Sequence, residues 1–137
     1  MTKTLEELQA IVDGAPYHRW LGVKVTGLDP DRPAVATALA HRPEFDRADD
    51  ATQFHGGVIS AFIDTTGDIA MVLVAGGAVP TINLRIDFLR PATGTTLTGH
   101  AKIRRSGRTL GVVDIDISDD NGKLIAIGRG TYSAVAG

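Results

Sequence analysis

The sequence predicts an α+β fold in which a curved, mostly antiparallel sheet wraps around one long, buried helix. Three observations support this prediction. The stretch from Gly57 to Ala75 is apolar over most of a helical circumference, so it must lie inside the protein. Residues 81–88 alternate strictly between apolar and polar side chains, as in a half-buried strand. Further strand-like segments, separated by turn signals, follow towards the C-terminus.

Composition and charge exclude several classes of protein. The 137 residues suit one compact domain, and no repeat, linker or low-complexity tract divides residues 1–137. A net charge of -2 gives no reason to expect a nucleic acid or an anionic membrane as partner. The chain has no cysteine, which excludes disulfides, thiolate nucleophiles and cysteine-based metal sites. Residues 1–13 do not resemble a signal peptide, and we expect a soluble, cytoplasmic protein.

The segments before the long helix predict a helix, a hairpin and a loop. Apolar residues at helical spacing after Thr2 or Thr4 predict an amphipathic helix that ends near Gly14 and Pro16; they are Leu5, Leu8, Ile11 and Val12. Residues 23–28 and 34–39 predict two strands joined by the turn Asp29-Pro30-Asp31. Residues 42–54 are polar and irregular, and we interpret them as a functional loop.

The segments after the long helix predict four strands. Beyond residues 81–88, a second strand covers about 96–104 and turns back at Ser106-Gly107. In residues 109–118 the apolar positions change phase, which predicts a bulge near Val112-Val113. Asn121-Gly122 is typical of a type I′ hairpin turn before a last strand over 124–133.

The strongest chemical signal stands at the start of the long helix. His55-Gly56-Gly57 leads into it, Asp64 follows two turns later, and Asp68 lies one turn further on the same side. A buried carboxylate usually has a partner, reaches a cleft or is catalytic, although either aspartate could instead cap a neighbouring loop. The backbone N–H groups of Gly56 and Gly57 are expected to be unpaired and suited to an oxyanion, unless the glycines only loosen the helix start.

These residues together resemble a known family. His55-Gly56-Gly57, Asp64 nine positions after the histidine, and the run TINLRIDFLRPA over 81–92 are similar to the hotdog-fold acyl-CoA thioesterases of the phenylacetyl-CoA and 4-hydroxybenzoyl-CoA type. The similarity continues through 105–109 and 122–126. It implies a helix enclosed by an antiparallel sheet. It also implies a homodimer joined edge to edge through its sheets, paired again into a homotetramer, with active sites between subunits.

The resemblance also implies roles for individual residues. The Gly56 N–H would polarise the thioester carbonyl, while Asp64 of the opposing subunit would act as nucleophile or as general base toward water. His55 would orient the thioester end or the loop, or simply pack at the helix start. Thr81 would help to position the attacking water, or be an ordinary strand residue.

Two positions depart from the family pattern. Asn83 replaces the aspartate common at its position, and Asp49 stands where relatives usually carry an Asn or Gln that contacts the substrate. Because Asp has no amide donor, either Gln53 substitutes for it, or the loop is shifted, or turnover of the usual substrates is impaired.

We expect the coenzyme A phosphates to be bound by a subset of the basic residues, with the others only solvated. The candidates are Arg90, Lys102, Arg104, Arg105 and Arg108. Further substrate contacts are expected from Gly57, Gln53, Asp68, Asn83 and Gly107.

The sequence therefore predicts hydrolysis of a medium-chain or aromatic acyl-CoA. It predicts no separate cofactor and no metal, because the histidines lack metal-ligand spacing and no phosphate-binding glycine loop or serine-hydrolase motif is present. One alternative is a non-catalytic acyl-CoA-binding protein. Another is a hotdog hydratase or dehydratase, in which a histidine and an aspartate work together along the helix, whereas His55 precedes it.

Overall fold

The computed structural model describes residues 3–29 and 31–137. The helices are α1 (Leu5–Val12), α2 (Pro16–Leu21) and α3 (Gly56–Ala75), with a short 3-10 helix at Pro43–Phe45. The strands are β1 (Lys24–Asp29), β2 (Ala34–Ala40), β3 (Asp46–Ala48), β4 (Ala51–Phe54), β5 (Thr81–Phe88), β6 (Thr96–Ser106), β7 (Leu110–Ser118) and β8 (Leu124–Ser133).

Six strands form one antiparallel sheet in the order β1-β2-β6-β7-β8-β5, and β3 pairs with β4 in a separate hairpin. The sheet packs against α3. This arrangement confirms the predicted α+β class with a long central helix. Strands β1 and β5 form the two edges of the large sheet.

Helix α3 forms the centre of the core because most of its surface is apolar. Phe62, Ile63 and Met71 are fully buried, and they belong to one apolar cluster with inward-facing strand residues such as Leu97 and Ile115. By length and composition α3 could cross a membrane. However, 56% of its most apolar 18-residue stretch is buried inside the protein, as in the core helix of a globular domain. The helix starts one residue earlier than predicted.

The N-terminal segment contains one helix more than expected. Helix α1 lies where the pattern predicts it and begins with a capping box between Thr4 and Glu7. Pro16, which we expected only to end this helix, occupies the first position of α2, where its missing N–H costs nothing. The chain then enters the predicted β1-β2 hairpin; its turn includes Pro30, which lies outside the described residues.

The predicted bulge is present, but its extra residue is on the neighbouring strand. Ile103 pairs with Val113 and Arg105 pairs with Val112, so Arg104 of β6 stands opposite no partner of its own. The bulge therefore lies at the expected height of the sheet, in β6 instead of β7.

The hairpin between β7 and β8 is confirmed, and the predicted type I′ turn is wrong. A type I′ turn needs positive φ at both central residues, whereas every positive φ among the described residues belongs to a glycine. Here the Gly122 N–H donates to the Asp119 carbonyl at 3.0 Å, and Gly122 has φ 76°. The connection is a type I turn followed by a left-handed glycine.

The interpretation of residues 42–54 as irregular is also wrong. They form the short 3-10 helix and the β3-β4 hairpin, whose ends carry the buried Phe45 and Phe54. His41 Nε2 contacts Asp46 Oδ1 at 2.7 Å, and its ring packs edge-on against Phe54. These contacts anchor the hairpin immediately before α3.

Candidate active site

The start of α3 is held in place by hydrogen bonds that it donates to two other segments. The Phe54 N–H donates to the Ala92 carbonyl at 2.9 Å, and the His55 N–H donates to the Phe45 carbonyl at 2.7 Å. The His55 side chain caps the helix, because its Nδ1 accepts the Gly57 N–H at 2.8 Å. The expectation that the Gly57 N–H is unpaired is therefore wrong.

Gly56 keeps a free backbone donor. Its N–H has no acceptor among residues 3–29 and 31–137, and it points along the positive end of the 20-residue helix dipole. Since His55 Nδ1 is an acceptor, the neutral ring carries its proton on Nε2. One backbone N–H and one ring N–H thus remain at this helix end for a ligand.

Gly56 lies in an open groove of about 510 Å³. The groove is lined by Arg47, Gln53, Phe54, Gly56, Ile59, Phe88, Leu89, Arg90, Pro91 and Ala92. It therefore combines Gly56 with two further predicted substrate-binding residues, Gln53 and Arg90. Asp49 does not line the groove; it is exposed in the turn between β3 and β4.

Asp64 is half-buried on α3 and is fixed at two atoms. Its carboxylate oxygen Oδ1 accepts the Thr81 hydroxyl at 2.7 Å, and its backbone carbonyl accepts the Tyr132 hydroxyl at 3.1 Å. Burial raises the pKa of Tyr132, so the tyrosine stays a protonated donor. No described donor reaches Oδ2 of Asp64. One carboxylate oxygen is therefore held by Thr81 and the other is available.

Asp68 has a different environment from Asp64. Its Oδ1 accepts the Val79 N–H at 2.9 Å, so it does cap the loop that follows α3. Burial raises the pKa of this carboxyl, although the Val79 hydrogen bond opposes the rise. Asp68 also lines a mainly apolar cavity of about 310 Å³ between the three helices, together with His18. Further lining residues are Leu8, Ile11, Val12, Ile69 and Val72.

Arg104 and Lys102 are not at the Gly56 groove of their own chain. They lie on the outer face of the sheet, where Arg104 Nε is 3.4 Å from Asp114 Oδ2. Arg129 donates two hydrogen bonds to the same carboxylate and lowers the pKa of Asp114. These charges neutralise one another in part. A salt bridge on an exposed face contributes little to stability. Here the salt bridge also engages Arg104, which the sequence predicts as a candidate to bind the coenzyme A phosphates.

The remaining predicted contacts are dispersed. Arg105 lies near the end of β6, Gly107 and Arg108 lie in the turn between β6 and β7, and Asn83 is exposed on β5. They are absent from the lining of the Gly56 groove. Within one chain, only Arg90 of the predicted cations is part of that groove.

Gly56 and Asp64 are separated along the same helix. Eight residues correspond to about 12 Å along the axis and roughly 80° around it. One substrate carbonyl therefore cannot contact both the Gly56 N–H and the Asp64 carboxylate of the same chain.

Residues 53–126 match the model of the thioesterase superfamily. The chain belongs to the thioesterase superfamily. A protein of Saccharolobus solfataricus named as an esterase is 34% identical over 131 residues, which cover 95% of this chain and 89% of that protein. The predictions of a hotdog-fold thioesterase and of a thioester-hydrolysing enzyme are therefore confirmed.

Two further relatives agree with this family. The acyl-coenzyme A thioesterase PaaI of Escherichia coli is 37% identical over 84 residues, which cover 61% of this chain and 59% of PaaI. Among solved structures, a thioesterase from Haemophilus influenzae superimposes with a TM-score of 0.85 at 25% identity, covering 97% of this chain and 91% of that one.

Proposed function

We propose that this thioesterase hydrolyses acyl-CoA to a free acid and coenzyme A. The observation that carries the proposal is the unpaired Gly56 N–H at the start of α3, together with Asp64 oriented by Thr81. The similarity to PaaI, which is named an acyl-coenzyme A thioesterase, supports acyl-CoA as the substrate class.

The proposed reaction needs only a hydrogen-bond donor, a carboxylate and water. The Gly56 N–H stabilises the negative charge that develops on the thioester oxygen. The free oxygen of Asp64 takes a proton from water, the hydroxide adds to the carbonyl carbon, and the C–S bond then breaks. The sulfur leaves as a thiolate and takes up a proton. A direct attack by Asp64, followed by hydrolysis of the anhydride, uses the same groups.

The separation of Gly56 and Asp64 supports a site formed by two copies of the chain. Strand β5 lies at the sheet edge, and Ile82 and Phe88 are 59% and 53% exposed there. An unpaired edge with apolar ends is suited to pairing with the same strand of a second copy. We propose a homodimer joined through β5, with further association into a homotetramer. A cytoplasmic location remains a prediction from the sequence.

The cavity beside Asp68 supports an acyl group of moderate size. It begins one helical turn beyond Asp64, and its volume is about 310 Å³. A medium-length chain or a single aromatic ring fits that space, so we propose these as the preferred acyl groups.

Thiol release from short, medium, long and aromatic acyl-CoAs tests the reaction directly. We expect turnover by the wild type and a loss of about 10²–10⁴-fold in kcat for Asp64→Asn, which keeps the shape but cannot accept the proton. Size-exclusion chromatography checks that the variant assembles as the wild type does. Binding of acyl-CoA with no thiol release by the wild type would favour the non-catalytic alternative.

A mixing experiment tests the two-chain site. Proline at Gly56 removes the free N–H at a position that accepts proline, and a Cβ there contacts the Phe88 ring at an ordinary 3.5 Å. Gly56→Pro and Asp64→Asn are each expected to be inactive. Co-refolded in equal amounts, they should recover about a quarter of wild-type activity, because half of the random dimers are mixed and each has one intact site of two. No recovery, despite mixed dimers shown by native mass spectrometry, would contradict a shared site.

A further inference from the structure

The β3-β4 hairpin brings together two side chains at the edge of the Gly56 groove. Asp46 pairs with Phe54, so the residues just inside this pair, Arg47 and Gln53, come close to each other. Arg47 Nε donates to Gln53 Oε1 at 2.6 Å. Both residues line the same groove as Gly56.

This hydrogen bond determines which way the Gln53 amide points. A guanidinium has only donors, so the atom it meets must be the amide oxygen. The amide NH₂ is therefore turned away from Arg47, and no described residue accepts a hydrogen bond from it. Because the donor is charged, the bond is stronger than one between neutral groups and opposes a flip of the amide.

Besides the guanidinium groups of Arg47 and Arg90, the groove has few donors for a developing oxyanion. The Gly57 N–H is occupied by His55, which leaves the Gly56 N–H as the free backbone donor at the helix start. Asp49, which replaces the amide residue expected from the resemblance, is acceptor-only when ionised and lies outside the groove. The one amide side chain that lines the groove is Gln53.

The geometry points to Gln53 as a second donor to the thioester oxygen, with Arg47 as the positioning residue that fixes its amide. The inference rests on the proposed hydrolysis and adds to it a residue that acts on the substrate carbonyl. It also accounts for Asp49: the amide function has moved from the hairpin turn to strand β4, four residues later.

Steady-state kinetics of four single variants test both roles. Removing one oxyanion donor lowers kcat about 10²–10³-fold in other enzymes, and we expect a loss of at least tenfold in kcat for Gln53→Ala and for Gln53→Glu. Gln53→Glu is the sharper variant, because it keeps an acceptor for Arg47 but replaces the amide donor by a carboxylate that repels a developing oxyanion. Arg47→Ala should lower kcat less than Gln53→Ala, and Arg47→Lys should restore part of the loss. Thr52→Ala, on the opposite face of β4, is the matched control with unchanged kinetics.

A double variant separates positioning from direct binding. If Arg47 acts through Gln53, Arg47→Ala has no further effect on kcat in the Gln53→Ala background. An Arg47→Ala effect that is confined to KM and equal in both backgrounds would mean that Arg47 binds the coenzyme A phosphates instead. Full activity of Gln53→Glu, or a loss for Asp49→Ala in place of Gln53→Ala, would overturn the inference.

Binding of a stable analogue keeps the inference testable if turnover itself is absent. The probe is an acyl-CoA ketone in which a methylene replaces the thioester sulfur, measured by isothermal titration calorimetry. We expect Gln53→Ala to weaken its binding about tenfold and Thr52→Ala not to change it. A wild type that binds the ketone without hydrolysing thioesters contradicts the proposed function alone, whereas equal affinity of wild type and Gln53→Ala contradicts the role of Gln53.

Discussion

Replacing Gly67 by alanine tests the packing that supports Asp64. Gly67 is buried in α3, and a Cβ at this position would lie 2.1 Å from the Tyr132 hydroxyl oxygen and 2.7 Å from its Cζ. Both distances are far below van der Waals contact. Tyr132 is itself fully buried and donates to the Asp64 carbonyl, so its ring cannot turn into solvent. The substitution must therefore shift β8 or the helix.

The expected change in the free energy of unfolding has the opposite sign to the change that helix propensity alone gives. In an open helix interior, alanine in place of glycine stabilises by about 1 kcal/mol. Here overpacking costs about 1–3 kcal/mol, and losing the buried hydrogen bond between Tyr132 and Asp64 costs about 1–3 kcal/mol more. We therefore expect Gly67→Ala to lower the free energy of unfolding by about 1–5 kcal/mol.

Thermal unfolding followed by circular dichroism measures this change. For a chain of this length we expect Tm to fall by about 4–20 °C, at equal protein concentration because assembly also shifts Tm. In a Tyr132→Leu background the clash is absent, so the same Gly67→Ala change should be neutral or stabilising. An unchanged or higher Tm for the single variant would refute the packing argument.

Two further predictions concern the carboxylates of α3. Thr81→Val removes the hydrogen bond that orients Asp64 and should lower kcat about tenfold, while Thr81→Ser should not; equal losses in both would contradict an orienting role. Burial raises the pKa of Asp68 above its ordinary value of 3.8, so the folded state holds this proton more tightly than the unfolded state. The free energy of unfolding should therefore fall as pH rises from 3.8 through the raised pKa. Asp68→Asn, which keeps an oxygen for the Val79 N–H, should reduce this slope in urea titrations at several pH values, and an unchanged slope would argue against it.

Regular elements were predictable because periodicity reports burial. Helix α3 and the alternating strand β5 were both placed to within about one residue, since a long apolar stretch and strict alternation each have one structural solution. The packing of β5 was less predictable. Ile82 and Phe88 follow the apolar alternation but are exposed, and β5, which carries them, is an edge strand with a neighbour on one side alone.

The contents of the site depended on pairings that sequence spacing does not encode. The contact between Arg47 and Gln53 arises from a short hairpin whose strands have only three and four residues, too few for a periodic signal. The Tyr132 contact with Asp64 joins positions 68 residues apart. The outward position of Arg104 was predictable from the sequence. Strand alternation places Lys102 and Arg104 on the face of the sheet opposite to the inward Ala101 and Ile103.

The order of elements along the chain has a consequence for biosynthesis. Helix α3 ends at Ala75, whereas β6, β7 and β8, which cover it, are made later, the last ending at Ser133. At about 5–20 residues per second, a ribosome needs roughly 3–12 s to make the intervening segment. During that time the nascent chain carries a helix apolar enough to span a bilayer, with its covering strands still incomplete. A nascent chain stalled before β8 should therefore bind chaperones or membranes more strongly than a chain that includes β8.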